Sequence, residues 1–191
     1  MTEAEFVALV LQNQVNATVL QRLPSLGLVD TWLVSGCLFQ TVWNIQTGRD
    51  LQHGIRDYDI FYFDPDTSYA AEDAIIRRVR EACADIAGTL EVRNQARVHL
   101  WYEEKFGAPY PPLRRARDGI DRFLMDCAQV GIGEGGEVYA PKGFADLQAM
   151  IVRPNPTANF RAALYQAKAG RWKALWPELT VLPATEPDKS R

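Results

Sequence analysis

The segment GIRDYDIFYFD sets Asp57 and Asp59 one residue apart in an otherwise apolar and aromatic run. Residues i and i+2 of a strand face the same way, with α-carbons about 7 Å apart. Two ionised carboxylates flanked by Ile55, Ile60, Phe61 and Phe63 repel each other unless a cation or hydrogen-bond donors compensate them. A hard divalent ion, Mg2+ or Mn2+, does this well and commonly binds through one or two carboxylates together with substrate phosphates. The competing reading is a solvated strand end, or pairing with Arg56, Arg93 or Arg97. About twenty residues upstream, TWLVSGCLFQTVWN ends an apolar run at Ser35-Gly36-Cys37 and opens into a helical pattern. Such a turn offers backbone N–H groups and a positive helix end to a phosphate. The two features together point to adjacent metal and phosphate sites.

These residues need a scaffold, and the sequence predicts a mixed one. MTEAEFVALVLQNQ reads as an amphipathic helix opened by a Thr2/Glu5 capping box, followed by a second helical piece, ATVLQRL, that ends at Pro24. LVDTWLVSG reads as a buried strand feeding the helix CLFQTVWNIQ, and RDYDIFYFD as a second strand stopped by Pro65. Ser68 caps a strong amphipathic helix that ends at Gly88. LEVRNQARVHLWY alternates well enough to be a long strand, or two halves of a hairpin around RNQA, before the proline-rich FGAPYPPLRRARDG. Strands in DCAQVGI and VYAP, a glycine turn between them, and helices in GFADLQAMIV and TANFRAALYQAKAGRWKALW complete the pattern. The expectation is one α/β (α+β) domain over 1–191, a mixed twisted sheet flanked by helices, with a flexible tail over 183–191.

Taken together, SGCLFQTVWN, GIRDYDIFYFD, NQARVHLWY, VYAPKGFADLQAMIVRPN and RWKALWPEL resemble the bacterial nucleotidyltransferase family proteins of the DNA polymerase beta-like superfamily, over roughly residues 30 to 180. The resemblance implies that Ser35, Gly36 and Cys37 hold a nucleoside triphosphate and that Asp57 and Asp59 bind Mg2+ or Mn2+. It also implies transfer of a nucleotidyl group to an acceptor hydroxyl, with release of pyrophosphate. Two departures stand out. Cys37 occupies a position where the superfamily usually has Ser, and a thiol is a poorer partner for phosphate. The superfamily's third carboxylate has no evident counterpart, because the matching slot in VHL holds His99. Glu91, Glu103 and Glu104 are nearby substitutes, although Glu104 faces away if the strand runs unbroken. His99 suits a general base or metal ligand as well as a structural role.

Among the cations Arg93, Arg97, Lys142, Arg153 and Lys168, Arg97 and Lys168 are the chosen phosphate contacts, with solvated surface charge as the alternative. GIGEGG lacks the strand-glycine-helix setting of a dinucleotide fingerprint and reads as a hairpin turn. Trp172 and Trp176 sit four apart on a helix and read as core, with base stacking as the minor option. A net charge of −3 over 191 residues argues against bulk nucleic-acid binding. Cys37, Cys83 and Cys127 form no disulfide or zinc pattern, which fits the cytoplasm. No run reaches membrane-spanning length. The rival to an enzyme is a protein that keeps the cleft but only binds a nucleotide or a partner.

Overall fold

The computed structural model describes residues 1–184. Most of the expected tail lies outside them, and Ala184 packs against the core. Two helices open the chain, α1 (Glu3–Val10) and α2 (Gln14–Arg22), followed by β1 (Trp32–Val34) and α3 (Gly36–Gln46). Next come β2 (Asp57–Tyr62), α4 (Tyr69–Ala82), β3 (Thr89–Asn94) and the short α5 (Tyr102–Phe106). The remainder is β4 (Gly131–Gly133), β5 (Val138–Tyr139), α6 (Ala145–Gln148), β6 (Ile151–Val152), α7 (Ala162–Leu175) and β7 (Thr180–Val181). Five strands form one sheet in the order β3-β2-β1-β4-β5. Only β2 and β3 run parallel in it, and the other neighbours are antiparallel. This is a mixed α/β fold of the expected class.

Local sequence explains the helix starts. At α1, Glu5 N–H donates to Thr2 Oγ1 (3.2 Å) and Thr2 N–H to Glu5 Oε2 (2.7 Å), so two otherwise unpaired donors are satisfied reciprocally. At α4, Ser68 Oγ accepts from Ala71 N–H (3.2 Å). The two faces of the sheet differ because strand side chains alternate. Leu33, Tyr58, Ile60, Tyr62, Val92 and Ile132 point into the main core. There Trp43 sits edge-on against Phe39, Trp172 and Trp176 at 4.7 to 5.7 Å. Trp172 and Trp176 are therefore both core residues. The other face carries Trp32, Val34 and Phe61 beneath a 3-10 segment at Ala116–Arg122. It leaves Asp57 and Asp59 beyond that cover.

Three expectations change. The strand through LEVRNQARVHLWY stops at Asn94, where Asn94 Oδ1 accepts from Ala96 N–H and Asp64 N–H (both 3.0 Å) and Nδ2 donates to Asp64 O (2.9 Å). The side chain thus folds the backbone into a turn, and a 3-10 turn at Val98–Leu100 and α5 follow. In GFADLQAMIV only Ala145–Gln148 is α-helical. Met150 takes a positive φ of 55°, and Ile151–Val152 pairs in parallel with Thr180–Val181. DCAQVGI divides into a 3-10 turn at Asp126–Ala128 and β4.

Candidate active site

Strand β2 presents Asp57, Asp59 and Phe61 on one face. The register sets Asp59 directly across from Val34 on β1 and from Glu91 on β3. Three carboxylates therefore share this face, with Asp59 in the middle. Sequence alone offers Glu91 as a substitute acid only because it lies near VHL; the register makes it the lateral neighbour of Asp59. The signal is the alternation in TLEVRN, with Leu90 and Val92 packed inward and Glu91 and Arg93 outward. Because β2 and β3 are parallel, Asn94 lies opposite Tyr62, at the end of β2 remote from Asp57. His99 follows five residues later, away from the acids, and its Nδ1 is buried with no partner among the described residues. Glu103 and Glu104 are exposed on α5.

Electrostatics tie these groups to α7. Asp59 is pushed up to about 7, chiefly by burial and then by the like charges of Asp57 and Glu91, with Lys168 and Arg93 pulling the other way. Lys168, on α7, is pushed down by burial while Asp59, then Asp57, partly offset it. Its ammonium stands 5.9 Å from the Trp172 ring centroid. Arg171, three residues further along the helix, is pushed down first by burial and then by Arg56, with Asp57 opposing. Asp57 thus lies within the field of the Arg171 guanidinium, which Arg56 also faces. The convergence of Arg56 and Arg171 is not visible in sequence, since only the packing of α7 across the sheet brings them together.

Among the described residues neither Asp57 nor Asp59 forms an ion pair. Of the arginines that could have locked them, Arg93 pairs with Glu91 (3.5 Å) and Arg97 with Glu72 (3.0 Å). Arg97 also donates to Ser68 O (3.0 Å), so it fastens the start of α4 to the end of β3 and is not part of the acid cluster. Lys142 lies 3.9 Å from Asp126 and Arg153 pairs with Asp146 (2.7 Å). Of the two cations expected to contact phosphate, the structure brings Lys168 to the acids and leaves Arg97 apart.

The turn between β1 and α3 abuts Asp59 through Val34. Ser35 has φ 58° and ψ −115°, a conformation that L-residues avoid and that stores roughly 1–3 kcal/mol. The demanding position is thus Ser35, and Gly36 has ordinary backbone angles. Ser35 O accepts from Leu38 N–H (2.9 Å) and Phe39 N–H (3.1 Å). The N–H groups of Gly36 and Cys37 precede these bonds and are the ones a helix start leaves for a ligand. The Cys37 thiol is fully buried and turned toward Val34 O (3.7 Å). Its pKa is driven well up by burial, then by Asp59 and Asp57, so only its backbone remains to meet a phosphate. From behind, Asn16 Nδ2 donates to Cys37 O (3.0 Å) and to Thr41 Oγ1 (3.2 Å), fixing the first turn of α3 in place.

The donor set can be tested against a divalent ion. The hard carboxylate oxygens of Asp57, Asp59 and Glu91 on one face match what Mg2+ or Mn2+ requires. Among the described residues no group of three His, Cys, Asp or Glu side chains is gathered closely enough to hold an ion unaided. The fit is therefore to an ion held by a carboxylate pair and completed by substrate oxygens and water.

The site thus consists of a strand-turn-helix facing a strand-borne acid pair. The chain belongs to a nucleotidyltransferase family, whose sequence profile matches residues 21–181. A solution NMR structure described as revealing a CCA-adding enzyme head domain is similar over 95% of this chain and 96% of its own, with a TM-score of 0.75 and 25% identity. No curated protein sequence matches the chain. Family and likeness together support nucleotidyl transfer as the general activity. No helix among the described residues is long and apolar enough to cross a membrane.

Proposed function

We propose that this protein is a metal-dependent nucleotidyltransferase that moves a nucleoside monophosphate from a nucleoside triphosphate to an acceptor hydroxyl. Asp57 and Asp59 hold Mg2+ or Mn2+, and the ion's contribution is to neutralise charge on the transferring phosphoryl group. The backbone N–H groups of Gly36 and Cys37, set by the strained Ser35, bind the phosphate chain, and Lys168, Arg171 and Arg56 balance its remaining charge. Glu91 takes the proton of the acceptor hydroxyl. The acceptor oxygen then forms its bond to the α-phosphorus as the bond to the pyrophosphate oxygen breaks, and pyrophosphate carries away the electron pair. No covalent enzyme intermediate is required. His99 and Arg97 have structural roles in this scheme.

The observation that carries this reading is the register that sets Asp57, Asp59 and Glu91 on one face of the sheet, with Asp59 across from the residue that leads into the β1–α3 turn and no ion pair to either aspartate among the described residues. Lys168 and Arg93 offset the negative charge there only in part, which leaves a cation favoured at the aspartates. The experiment is thermal unfolding with each nucleoside triphosphate, with and without Mg2+ or Mn2+. A ligand bound only by the native state at about 100 times its Kd adds roughly 2.7 kcal/mol. The expected result is a rise that needs both nucleotide and metal and that Asp57→Asn abolishes; a response unchanged by Asp57→Asn contradicts the assignment. Pyrophosphate release then separates transfer from binding alone, the second reading of the same cleft.

A further inference from the structure

A cavity of ≈ 270 Å³ adjoins the acid cluster, and its lining includes Phe61, Arg93 and Lys168. Phe61 and Arg93 are the same-face neighbours of Asp59 and Glu91, two residues along their strands, and Lys168 is the cation that Asp59 feels. The phosphate-binding turn lies at the other end of the cluster, past Val34. The carboxylates therefore stand between the turn and the cavity. In an in-line displacement the attacking hydroxyl enters opposite the leaving pyrophosphate, and Glu91 lies two residues along β3 from Arg93, which lines the cavity. On this reading of the reaction, we propose that the cavity is the acceptor site, and that the acceptor is a small molecule with a flat, apolar ring body, a hydroxyl and an anionic group.

The lining supplies the chemistry. Trp101, Tyr102, Phe106, Tyr110 and Phe123 give aromatic walls, held together by ring contacts such as Tyr102 to Tyr110 at 4.5 Å and Phe61 to Phe123 at 5.8 Å. Arg93, Arg122 and Lys168 are the basic side chains of the lining, and no Asp or Glu lines the cavity. Only Arg93 of the three is paired with an acid among the described residues. The buried Gln95 side chain reaches this wall because Gly119 has no Cβ, which would collide with Gln95 Oε1. Ligand pockets typically span about 300–1,000 Å³. At ≈ 270 Å³ this cavity lies just below that range and suits one or two fused rings.

The test is calorimetric titration of the full chain with 3-hydroxy-2-naphthoate and with its uncharged counterpart 2-naphthol, with Arg122→Gln and Leu164→Trp as variants. Loss of a charged contact should weaken naphthoate by about tenfold in Arg122→Gln and leave 2-naphthol within about twofold. Leu164 lines the same cavity, so the larger Trp should weaken both probes by about tenfold or more. A non-hydrolysable nucleoside triphosphate with Mg2+ should bind alongside naphthoate. The proposal is overturned if wild type does not take up naphthoate, if Arg122→Gln affects both probes alike, or if Leu164→Trp has no effect. It also fails if nucleotide displaces naphthoate, which would give the cavity to the donor base, or if a short oligoribonucleotide with a free 3′-hydroxyl displaces it. In all of these cases the metal-dependent nucleotide response in thermal unfolding reports separately on the transferase reading.

Discussion

Replacing Asp59 by Asn removes a charge that the fold resists, so the metal-free protein should become more stable while losing its ligand. The folded carboxyl titrates at about 7 where an ordinary aspartate titrates at 3.8, because burial and the facing charges of Asp57 and Glu91 outweigh Lys168 and Arg93. Between these two values the native state holds a proton that the unfolded chain has released. Native stability therefore falls as pH rises from 3.8 toward 7 and levels off above it. At roughly 1.36 kcal/mol for each pH unit between the folded and unfolded values, the upper bound is about 4 kcal/mol. Solvent screening at the effective dielectric of a real protein cuts this to about 2 kcal/mol. For a chain of this size that is a gain of about 4–8 °C in midpoint. The assay is thermal unfolding of wild type and Asp59→Asn in EDTA from about pH 3 to about pH 8.5, a range that brackets the titration. The variant's advantage should be near zero at the acid end, grow through the window and stay constant above it. Adding Mg2+ and nucleotide should raise wild type alone. An Asn variant that is no more stable at the alkaline end, or an advantage independent of pH, refutes the reasoning.

Four other outcomes follow from single contacts. Glu91→Gln should keep the metal-dependent nucleotide shift yet slow pyrophosphate release by about 10²-fold or more, the usual scale of a lost general base, as read by a coupled phosphate assay. Ser35→Gly should relieve the positive φ and raise the unfolding free energy by about 1 kcal/mol, measured in urea, with nucleotide binding kept because the backbone N–H groups remain. Arg97→Ala should cost about 1–3 kcal/mol, since Glu72 in a partly buried pair loses its charged partner and keeps only the Asn94 N–H, while the nucleotide shift is unchanged. Gly54→Ala should destabilise by about 1–3 kcal/mol, because Gly54 has φ 73° and an added Cβ would strike the Trp176 ring; the same denaturant titration checks it.

What can be read from sequence is set by range. The capping box of α1 and the Ser68 cap involve residues three apart and are legible at once. The shared face of Asp57 and Asp59 follows from strand parity alone. Where the structure adds something, distant contacts decide it. Asn94 ends β3 by bonding Asp64, thirty residues back, and this separates His99 from the acids and leaves Glu91 beside Asp59. Parallel pairing with Thr180–Val181 converts the end of an apparent helix into β6. Arg56 and Arg171 meet only because α7 and the residue that follows it pack over the sheet through Trp172 and Trp176. The turn at Ser35-Gly36-Cys37 is recognisable, but the residue bearing the unusual backbone is Ser35, and no composition rule distinguishes it from the glycine next door.

The central claim is that Asp57 and Asp59 jointly hold a divalent ion that carries the phosphates of a nucleotide. Anomalous diffraction from crystals grown with Mn2+ and a non-hydrolysable nucleoside triphosphate tests it most directly. The account predicts a manganese peak bound by both carboxylates, with the phosphate chain directed at the N–H groups of Gly36 and Cys37. A nucleotide bound elsewhere, or manganese absent from these two side chains, would contradict it.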